Sequence, residues 1–171
     1  MIGWSGCPDA TAKSPTVARG WQCALTVPRE LSMRDGKLCQ QPVHEIERMR
    51  GDCVCATGGE TVEEPGRLFD LVVSCEGAQV IELEIRKGVF VRYADGMLTL
   101  DMGDEGYGRD QRSIELSELR DLRVLSDTTM VEIFANGGEA ALTSRTYSPA
   151  VPAMGLHAEG AASMDFYRLA H

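Results

Sequence analysis

Residues 119–147 read LRDLRVLSDTTMVEIFANGGEAALTSRTY and carry the clearest pattern in the chain. Apolar and polar side chains alternate around Leu122 and again around Val131, and the turn-forming sequences Ser126-Asp127-Thr128 and Asn136-Gly137-Gly138 interrupt the alternation. A two-residue period bounded by turn residues is typical of half-buried strands. Asn-Gly favours a tight hairpin because both residues tolerate positive φ angles. The segment therefore predicts a three-stranded antiparallel meander.

The same two-residue period recurs along most of the chain. It is cleanest over Val80–Arg86, where the odd-numbered residues are predicted to point inward and the even-numbered residues, Arg86 among them, outward. Two further hairpins are predicted at Arg34-Asp35-Gly36-Lys37 and Asp95-Gly96. Polar, glycine-containing loops are predicted over Gly58–Gly66 and Gly103–Gln111.

About a dozen short strands joined by glycine-containing turns indicate an all-β fold. Parallel strands would need long amphipathic helices as crossovers, and the sequence contains no such pattern. We therefore predict an antiparallel β-sandwich of two sheets, jelly-roll-like, with little helix. The buried residues are predicted to include Ile81, Leu83, Ile85, Val131, Ile133 and Phe166.

The composition restricts the class of partner. With 43% hydrophobic and 25% charged residues, the 171-residue chain is ordinary for one globular domain with a core. Its net charge of −9 argues against nucleic acid and against an anionic membrane surface, because no basic stripe is present to meet phosphates. No apolar run is long enough to span a bilayer and no signal-peptide pattern is visible, so a cytoplasmic location is predicted. A neutral ligand such as a sugar is compatible with the charge.

The cysteines do not predict a metal site. Only Cys53 and Cys55 form a close pair, whereas zinc sites normally use two such pairs, or one pair with suitably spaced histidines. We therefore predict no metal and no cofactor, and reduced thiols that mostly pack as small apolar side chains. The six cysteines are Cys7, Cys23, Cys39, Cys53, Cys55 and Cys75.

Four blocks of sequence, in order along the chain, carry a family resemblance. Gly20–Leu31 reads GWQCALTVPREL, Arg34–Glu45 reads RDGKLCQQPVHE, Leu119–Val124 reads LRDLRV, and Val131–Glu139 reads VEIFANGGE. Together they resemble glycoside hydrolase family 32, the family of invertases, sucrose-6-phosphate hydrolases, levanases and inulinases. The blocks extend over nearly the whole chain, so the resemblance is specific.

The resemblance implies a particular domain organisation. In this family a five-bladed β-propeller carries catalysis and a C-terminal β-sandwich packs against it. Residues 1–19 are then predicted to be a remnant of the last propeller strand with a linker, and residues 20–171 the C-terminal sandwich. The family's nucleophile motif, its Glu-Cys acid/base motif and its Arg-Asp-Pro motif do not occur in the 171 residues. No catalytic residue is therefore assigned, and the substrate-binding residues are unknown.

The remaining candidate residues are weighed against structural roles. Trp4 and Trp21 could stack on sugar rings, but packing at a domain contact or a self-association contact is the favoured role. Arg29 and Glu30 are adjacent on a predicted strand and point to opposite faces, so separate structural ion pairs are favoured over a catalytic pair. A solvated acidic loop is favoured over a calcium site for Asp101, Asp104, Glu105 and Asp110, because their spacing does not match a calcium loop.

These observations lead to one functional hypothesis and two alternatives. The favoured hypothesis is the C-terminal module of a β-fructosidase of the sucrose or sucrose-6-phosphate hydrolase type, supporting a catalytic propeller. The alternatives are a stand-alone fructan-binding module and a truncated product without a separate function. Residues 1–4 are expected to form an unpaired apolar strand, so a homodimer with Trp4 or Trp21 near the contact is predicted. The alternative is that residues 1–20 fold back and cover this face within one chain.

Overall fold

The computed structural model describes residues 1–6, 14–57, 60–75 and 77–170, so expectations for Cys7, Gly58 and Gly59 lie outside the described residues. The described part of the chain is mainly strand, with three short 3₁₀ helices at Pro15–Arg19, His44–Met49 and Gly103–Gly106. No helix in it has the length and hydropathy to cross a bilayer. In chain order the strands are β1 (Trp4–Ser5), β2 (Ala24–Leu25), β3 (Arg29–Arg34), β4 (Lys37–Pro42), β5 (Arg50–Thr57), β6 (Thr61–Glu63), β7 (Phe69–Ser74), β8 (Val80–Arg86), β9 (Val89–Ala94), β10 (Met97–Asp101), β11 (Gln111–Glu115), β12 (Asp121–Asp127), β13 (Met130–Ala135), β14 (Ala140–Arg145), β15 (Ala153–Glu159) and β16 (Ser163–Leu169).

Two six-stranded antiparallel sheets form the body of the protein. Sheet I has the order β11-β10-β9-β8-β15-β6, and sheet II has the order β14-β13-β12-β7-β16-β5. The pairs β1–β2 and β3–β4 form two separate ribbons. The prediction of an antiparallel β-sandwich is confirmed, and so is the meander, which is the β12-β13-β14 part of sheet II.

The core lies between the two sheets. Sheet I contributes its alternate residues from β8, β9 and β10, and sheet II contributes those of β7, β12, β13 and β16. Phe69 and Phe166 meet there with ring centroids 5.3 Å apart. All six residues predicted to be buried are buried, namely Ile81, Leu83, Ile85, Val131, Ile133 and Phe166.

The predicted hairpins have the backbone that their turns require. Asp35, Asp95 and Asn136 have φ angles of 49°, 50° and 52°, and a glycine with positive φ follows each of them. Two consecutive positive φ angles match the twist of the flanking strands, which explains why Asn-Gly and Asp-Gly predicted these turns well.

Arg86 was predicted to point outward, and this is wrong. A register irregularity between Glu84 and Arg86 places Ile85 and Arg86 both in buried positions, so the alternation ends one residue early. The guanidinium donates to Ser126 Oγ at 2.7 Å and to the carbonyls of Arg67, Thr128 and Ser148 at 3.0 to 3.3 Å. Burial lowers its pKa to about 10. Arg86 thus ties sheet I to the β12–β13 turn of sheet II.

Three other features of the structure were not predicted from the sequence. Strand β5 was not predicted, because its sequence RGDCVCAT lacks an apolar alternation. Strand β6 lies inside the predicted loop Gly58–Gly66, where it adds to the edge of sheet I beside β15. The predicted loop Gly103–Gln111 begins with the 3₁₀ helix Gly103–Gly106.

Candidate functional site

The described residues 1–6 and 14–49, which we call the strap, lie outside the two large sheets. The expectation that residues 1–4 form an unpaired strand is wrong, because Trp4 pairs with Leu25 in the β1–β2 ribbon. Gly3 N and Thr26 Oγ1 are 2.8 Å apart, and Arg29 N donates to Met1 O at 2.7 Å. The start of the chain therefore runs beside residues 24–29 within the same molecule.

A buried ion pair joins the strap to sheet II. Arg29 on β3 pairs with Glu132 on β13, and their side chains are only 8% and 2% exposed. Arg29 also donates to Thr143 Oγ1 at 2.7 Å and to Gln40 Oε1 at 2.9 Å, while Val27 N donates to Glu132 Oε1 at 2.7 Å. The sequence predicted half-buried strands in the meander, and Glu132 lies on their outer face. The strap covers this face, so every residue of β13 is buried.

A second set of contacts holds the β3–β4 hairpin against the β13–β14 turn. Gln40 N donates to Gly138 O at 2.9 Å, and Arg34 Nη2 donates to Asn136 O at 2.8 Å. Gly138 has a φ of 87°, and a Cβ built on it would overlap the carbonyl of Gln40. Glycine is therefore required at this position both by the backbone conformation and by the close approach of the hairpin.

The strap exposes an unusual amount of apolar surface. Ten of the twelve exposed large hydrophobic side chains in the described part of the chain belong to it. Single exposed apolar residues are normal, but a concentration on one segment is typical of an interaction surface. The ten residues are Met1, Ile2, Trp4, Val17, Trp21, Leu25, Leu31, Met33, Leu38 and Met49.

An aromatic cleft of about 430 Å³ opens where the strap meets the body. Trp21, Tyr107 and Tyr147 line it together with Arg19 and with other residues of both parts. Tyr107 and Tyr147 meet edge to face with ring centroids 5.6 Å apart. A cleft with several aromatic faces and polar groups has the chemistry to hold a sugar ring.

The two predicted tryptophans lie at different places on the strap. Trp4 projects from the β1–β2 ribbon and is 60% exposed, whereas Trp21 is 41% exposed and lines the aromatic cleft. The guanidinium of Arg145 lies 5.2 Å from the Trp21 ring. Trp21 is therefore positioned by a cation–π contact, while Trp4 is presented to solvent.

The Arg29–Glu30 pair and the acidic loop of residues 101–110 were weighed as a catalytic pair and a calcium site, and both make structural contacts. Arg29 pairs with Glu132, and Glu30 lies 3.8 Å from His44, so the adjacent pair diverges as predicted. Asp101 pairs with Arg92 and accepts from Gly103 N at 3.2 Å. Among the described residues, the acidic loop contains no set of three convergent ligand groups.

The interpretation of the cysteines as packed apolar side chains is only partly right. Cys39 and Cys75 are buried, but Cys23, Cys53 and Cys55 are exposed. Burial raises the pKa of Cys75 to about 12. The structure also places Asp165 beside Cys53 and Cys55, which the sequence did not indicate because β16 lies more than a hundred residues away.

Two family models match the chain. The model for the C-terminal region of glycosyl hydrolases family 32 matches residues 90–169, and the model for the N-terminal domain of that family matches residues 1–42. The second match ends with β4, so most of the strap lies within it.

Known proteins with similar sequences are named as invertases or sucrose-6-phosphate hydrolases. The raffinose invertase of Escherichia coli is 37% identical over 175 residues, a region that covers 88% of this chain and 34% of the relative. The sucrose-6-phosphate hydrolase of Salmonella typhimurium is 31% identical over 160 residues, covering 88% of this chain and 32% of the relative. The chain thus spans about a third of the length of these relatives.

Solved structures share the fold at lower sequence identity. A sucrose-6-phosphate hydrolase from Lactobacillus gasseri superimposes with a TM-score of 0.84 at 21% identity, covering 99% of this chain and 38% of that one. An exo-inulinase from Aspergillus awamori gives 0.78 at 20% identity, covering 99% and 40%. At this level of identity the likeness shows a common fold.

Proposed function

This chain belongs to glycoside hydrolase family 32, and we propose that it is the non-catalytic β-sandwich module that supports the catalytic propeller of a β-fructosidase. The proposal rests on one observation above all. The exposed apolar side chains are concentrated on the strap, and the N-terminal-domain match covers most of that segment. A face of this kind is suited to lie against a second domain.

The names of the relatives support a sucrose or sucrose-6-phosphate hydrolase as the parent enzyme. A cytoplasmic location is part of this proposal. The division between residues 1–19 and 20–171 stays a prediction, and β1 pairs with β2 across it. In this proposal the propeller supplies the catalytic carboxylates, since a retaining glycosidase needs two of them across the scissile bond.

A hybrid enzyme tests the supporting role. This chain replaces the aligned third of the Escherichia coli raffinose invertase, and sucrose hydrolysis and thermal stability are measured. The proposal predicts a folded, active hybrid. Trp4→Ser in the hybrid is expected to lower its Tm by several degrees, whereas the same substitution in the free chain, where Trp4 is 60% exposed, should change the Tm little. A hybrid whose propeller unfolds while the sandwich stays folded would contradict the supporting role.

The 171 residues by themselves are expected to show no turnover of sucrose, sucrose-6-phosphate or fructans. Positioned acid/base groups supply much of the acceleration by a glycosidase, and the proposal assigns none to this chain. Reducing-sugar release by highly purified protein is the assay. Turnover that disappears when one carboxylate of this chain is replaced would refute the assignment.

The aromatic cleft favours fructan binding as a second candidate function. Trp21 fluorescence in a Trp4→Phe background reports on the cleft directly, because these are the two tryptophans of the chain. Saturable quenching by inulin-type oligosaccharides, lost in Tyr147→Ala, would favour a carbohydrate-binding module. If millimolar sugar does not quench Trp21 fluorescence, the cleft does not bind fructans, and support of a second domain is the function of this region.

A further inference from the structure

Two exposed thiols and a carboxylate converge at one edge of sheet II. Cys53 and Cys55 are two residues apart on β5, the outermost strand, and project from the same face. Cys53 lies opposite Tyr167 and Cys55 lies opposite Asp165 on the neighbouring strand β16. The core-facing neighbours Ala56 and Phe166 are buried, so the three ligand groups lie on the outer face, away from the core.

The three groups lie close enough together to bind one ion after a rotation of the two cysteine side chains. The two sulfur atoms are 2.9 Å apart, and both sulfurs and one Asp165 oxygen lie within 4.8 Å of one another. Two thiolates around zinc at about 2.3 Å each are separated by roughly 3.8 Å in a tetrahedral site. A small rotation of two exposed side chains on an edge strand would provide that separation.

The charge of the cluster also favours a cation. Two thiolates and a carboxylate would place up to three negative charges together, and the chain as a whole carries a net charge of −9. The nearby Arg50 is already paired with Asp70 at 2.7 Å.

From this geometry we propose that Cys53, Cys55 and Asp165 form a binding site for one thiophilic divalent cation of the zinc class, with water completing its coordination. Thiolate ligands select zinc-class ions over magnesium and calcium, and an exposed site leaves a position open to solvent. The site does not depend on the proposed supporting function, because it lies on β5 and β16 rather than on the strap.

A disulfide between the two cysteines is the competing arrangement. Alternate residues of an extended strand have Cα atoms about 6.6 Å apart, near the upper limit for a disulfide. A disulfide at that separation would be strained and easily reduced, whereas the metal site needs only a rotation of the side chains.

Cadmium titration of the reduced full chain tests the site. Thiolate-to-cadmium charge transfer gives a near-ultraviolet absorption band, and one equivalent of Cd²⁺ is expected to saturate it. Cys53→Ser and Cys55→Ser are each expected to abolish the band, and Asp165→Asn to weaken binding about tenfold. Cys23→Ser, which removes a lone exposed thiol, is the matched control and should change nothing. Zn²⁺ should displace the bound Cd²⁺.

A second measurement uses the unaltered chain, so it does not depend on the variants folding. Cd²⁺ is expected to protect Cys53 and Cys55 from alkylation by iodoacetamide while Cys23 still reacts, as read by peptide mass. Equal protection of all three thiols would overturn the site, as would a band that survives Cys53→Ser. A band unaffected by Asp165→Asn would overturn the three-ligand arrangement. A Cys53–Cys55 peptide that has lost two hydrogens under the titration conditions would establish the disulfide instead.

Discussion

The strap and the two-sheet body differ in where they place their apolar side chains. In the body, alternate residues of both sheets are buried in a common core, whereas among the described residues of the strap only the apolar side chains of Cys39 and Pro42 are buried. The strap joins the body mainly through polar anchors, including the Arg29–Glu132 pair and the Gln40–Gly138 backbone bond. The body therefore has an apolar core of its own, while the strap is held in a defined position with its apolar side chains still exposed.

An open cleft between the two regions reinforces this contrast. It has a volume of about 340 Å³ and is lined on the strap side by Leu25 and Met49 and on the body side by Leu125 and Met130, among others. The strap therefore leaves an apolar groove open to solvent where it meets the body.

The largest expected effect separates the two regions directly. Leu83→Ala removes a fully buried core side chain and is expected to lower the free energy of unfolding by about 3–4 kcal/mol. Leu25→Ala removes an exposed strap side chain and is expected to change it by less than about 0.5 kcal/mol. Urea denaturation measures both. Equal costs for the two substitutions would remove the distinction between strap and body.

The next effect concerns the docking of the β3–β4 hairpin. Gly138→Ala is expected to lower the free energy of unfolding by about 2–3 kcal/mol, because the new Cβ overlaps the Gln40 carbonyl and the backbone φ is positive. Gly36→Ala is the matched control, since Gly36 also has a positive φ but nothing lies within 4 Å of a Cβ there. It should cost about 1 kcal/mol.

Limited proteolysis shows where the Gly138→Ala damage lies. Cleavage within the strap should become faster in this variant, while the body stays resistant. Uniform loss of resistance across the chain would mean that strap and body unfold together as one unit, and the distinction between them would be wrong.

A smaller effect tests the buried ion pair. A double-mutant cycle with Arg29→Gln and Glu132→Gln should give a coupling energy of about 1–2 kcal/mol that added salt barely changes, because both side chains are buried. The same cycle on Lys37 and Glu139, a pair whose lysine is 65% exposed, should give less than about 0.5 kcal/mol and fall with salt. Equal coupling in the two cycles would show that burial does not strengthen the strap anchor.

The prediction with the smallest expected effect on stability concerns self-association. Self-association changes the molecular mass measured in solution. The exposed strap predicts a reversible dimer of the free chain, with Trp4 near the contact. Sedimentation at micromolar concentration should show the mass falling toward a monomer in Trp4→Ser and remaining unchanged in Val54→Ser. A wild-type chain that is strictly monomeric would contradict the dimer.

Local rules predicted much of the body. The meander and the Asp95-Gly96 hairpin followed from alternation and from Asn-Gly and Asp-Gly turns, and the same turn rule predicted the β3–β4 hairpin of the strap. Arg86 could not be placed in this way. Its acceptors come from residues 67, 126–128 and 148, so its burial depends on contacts far along the chain.

The candidate sites were harder to predict, for the same reason. Glu132 alternates with apolar neighbours and therefore looked exposed, and only the strap, about a hundred residues earlier, turns it into a buried ion-pair partner. Cys53 and Cys55 alone did not predict a metal site, and strand pairing places Asp165 beside them. Pairing between distant strands leaves no local signal in the sequence.

Hydrogen exchange tests most directly the central claim that the strap is the face on which a propeller domain docks. Exchange of backbone amides is compared by mass spectrometry between the free chain and the hybrid with the invertase propeller. New protection is expected on the strap, with the amides of β7, β12 and β13 unchanged because the core already protects them. New protection on sheet I instead, or none in a folded hybrid, would contradict the claim.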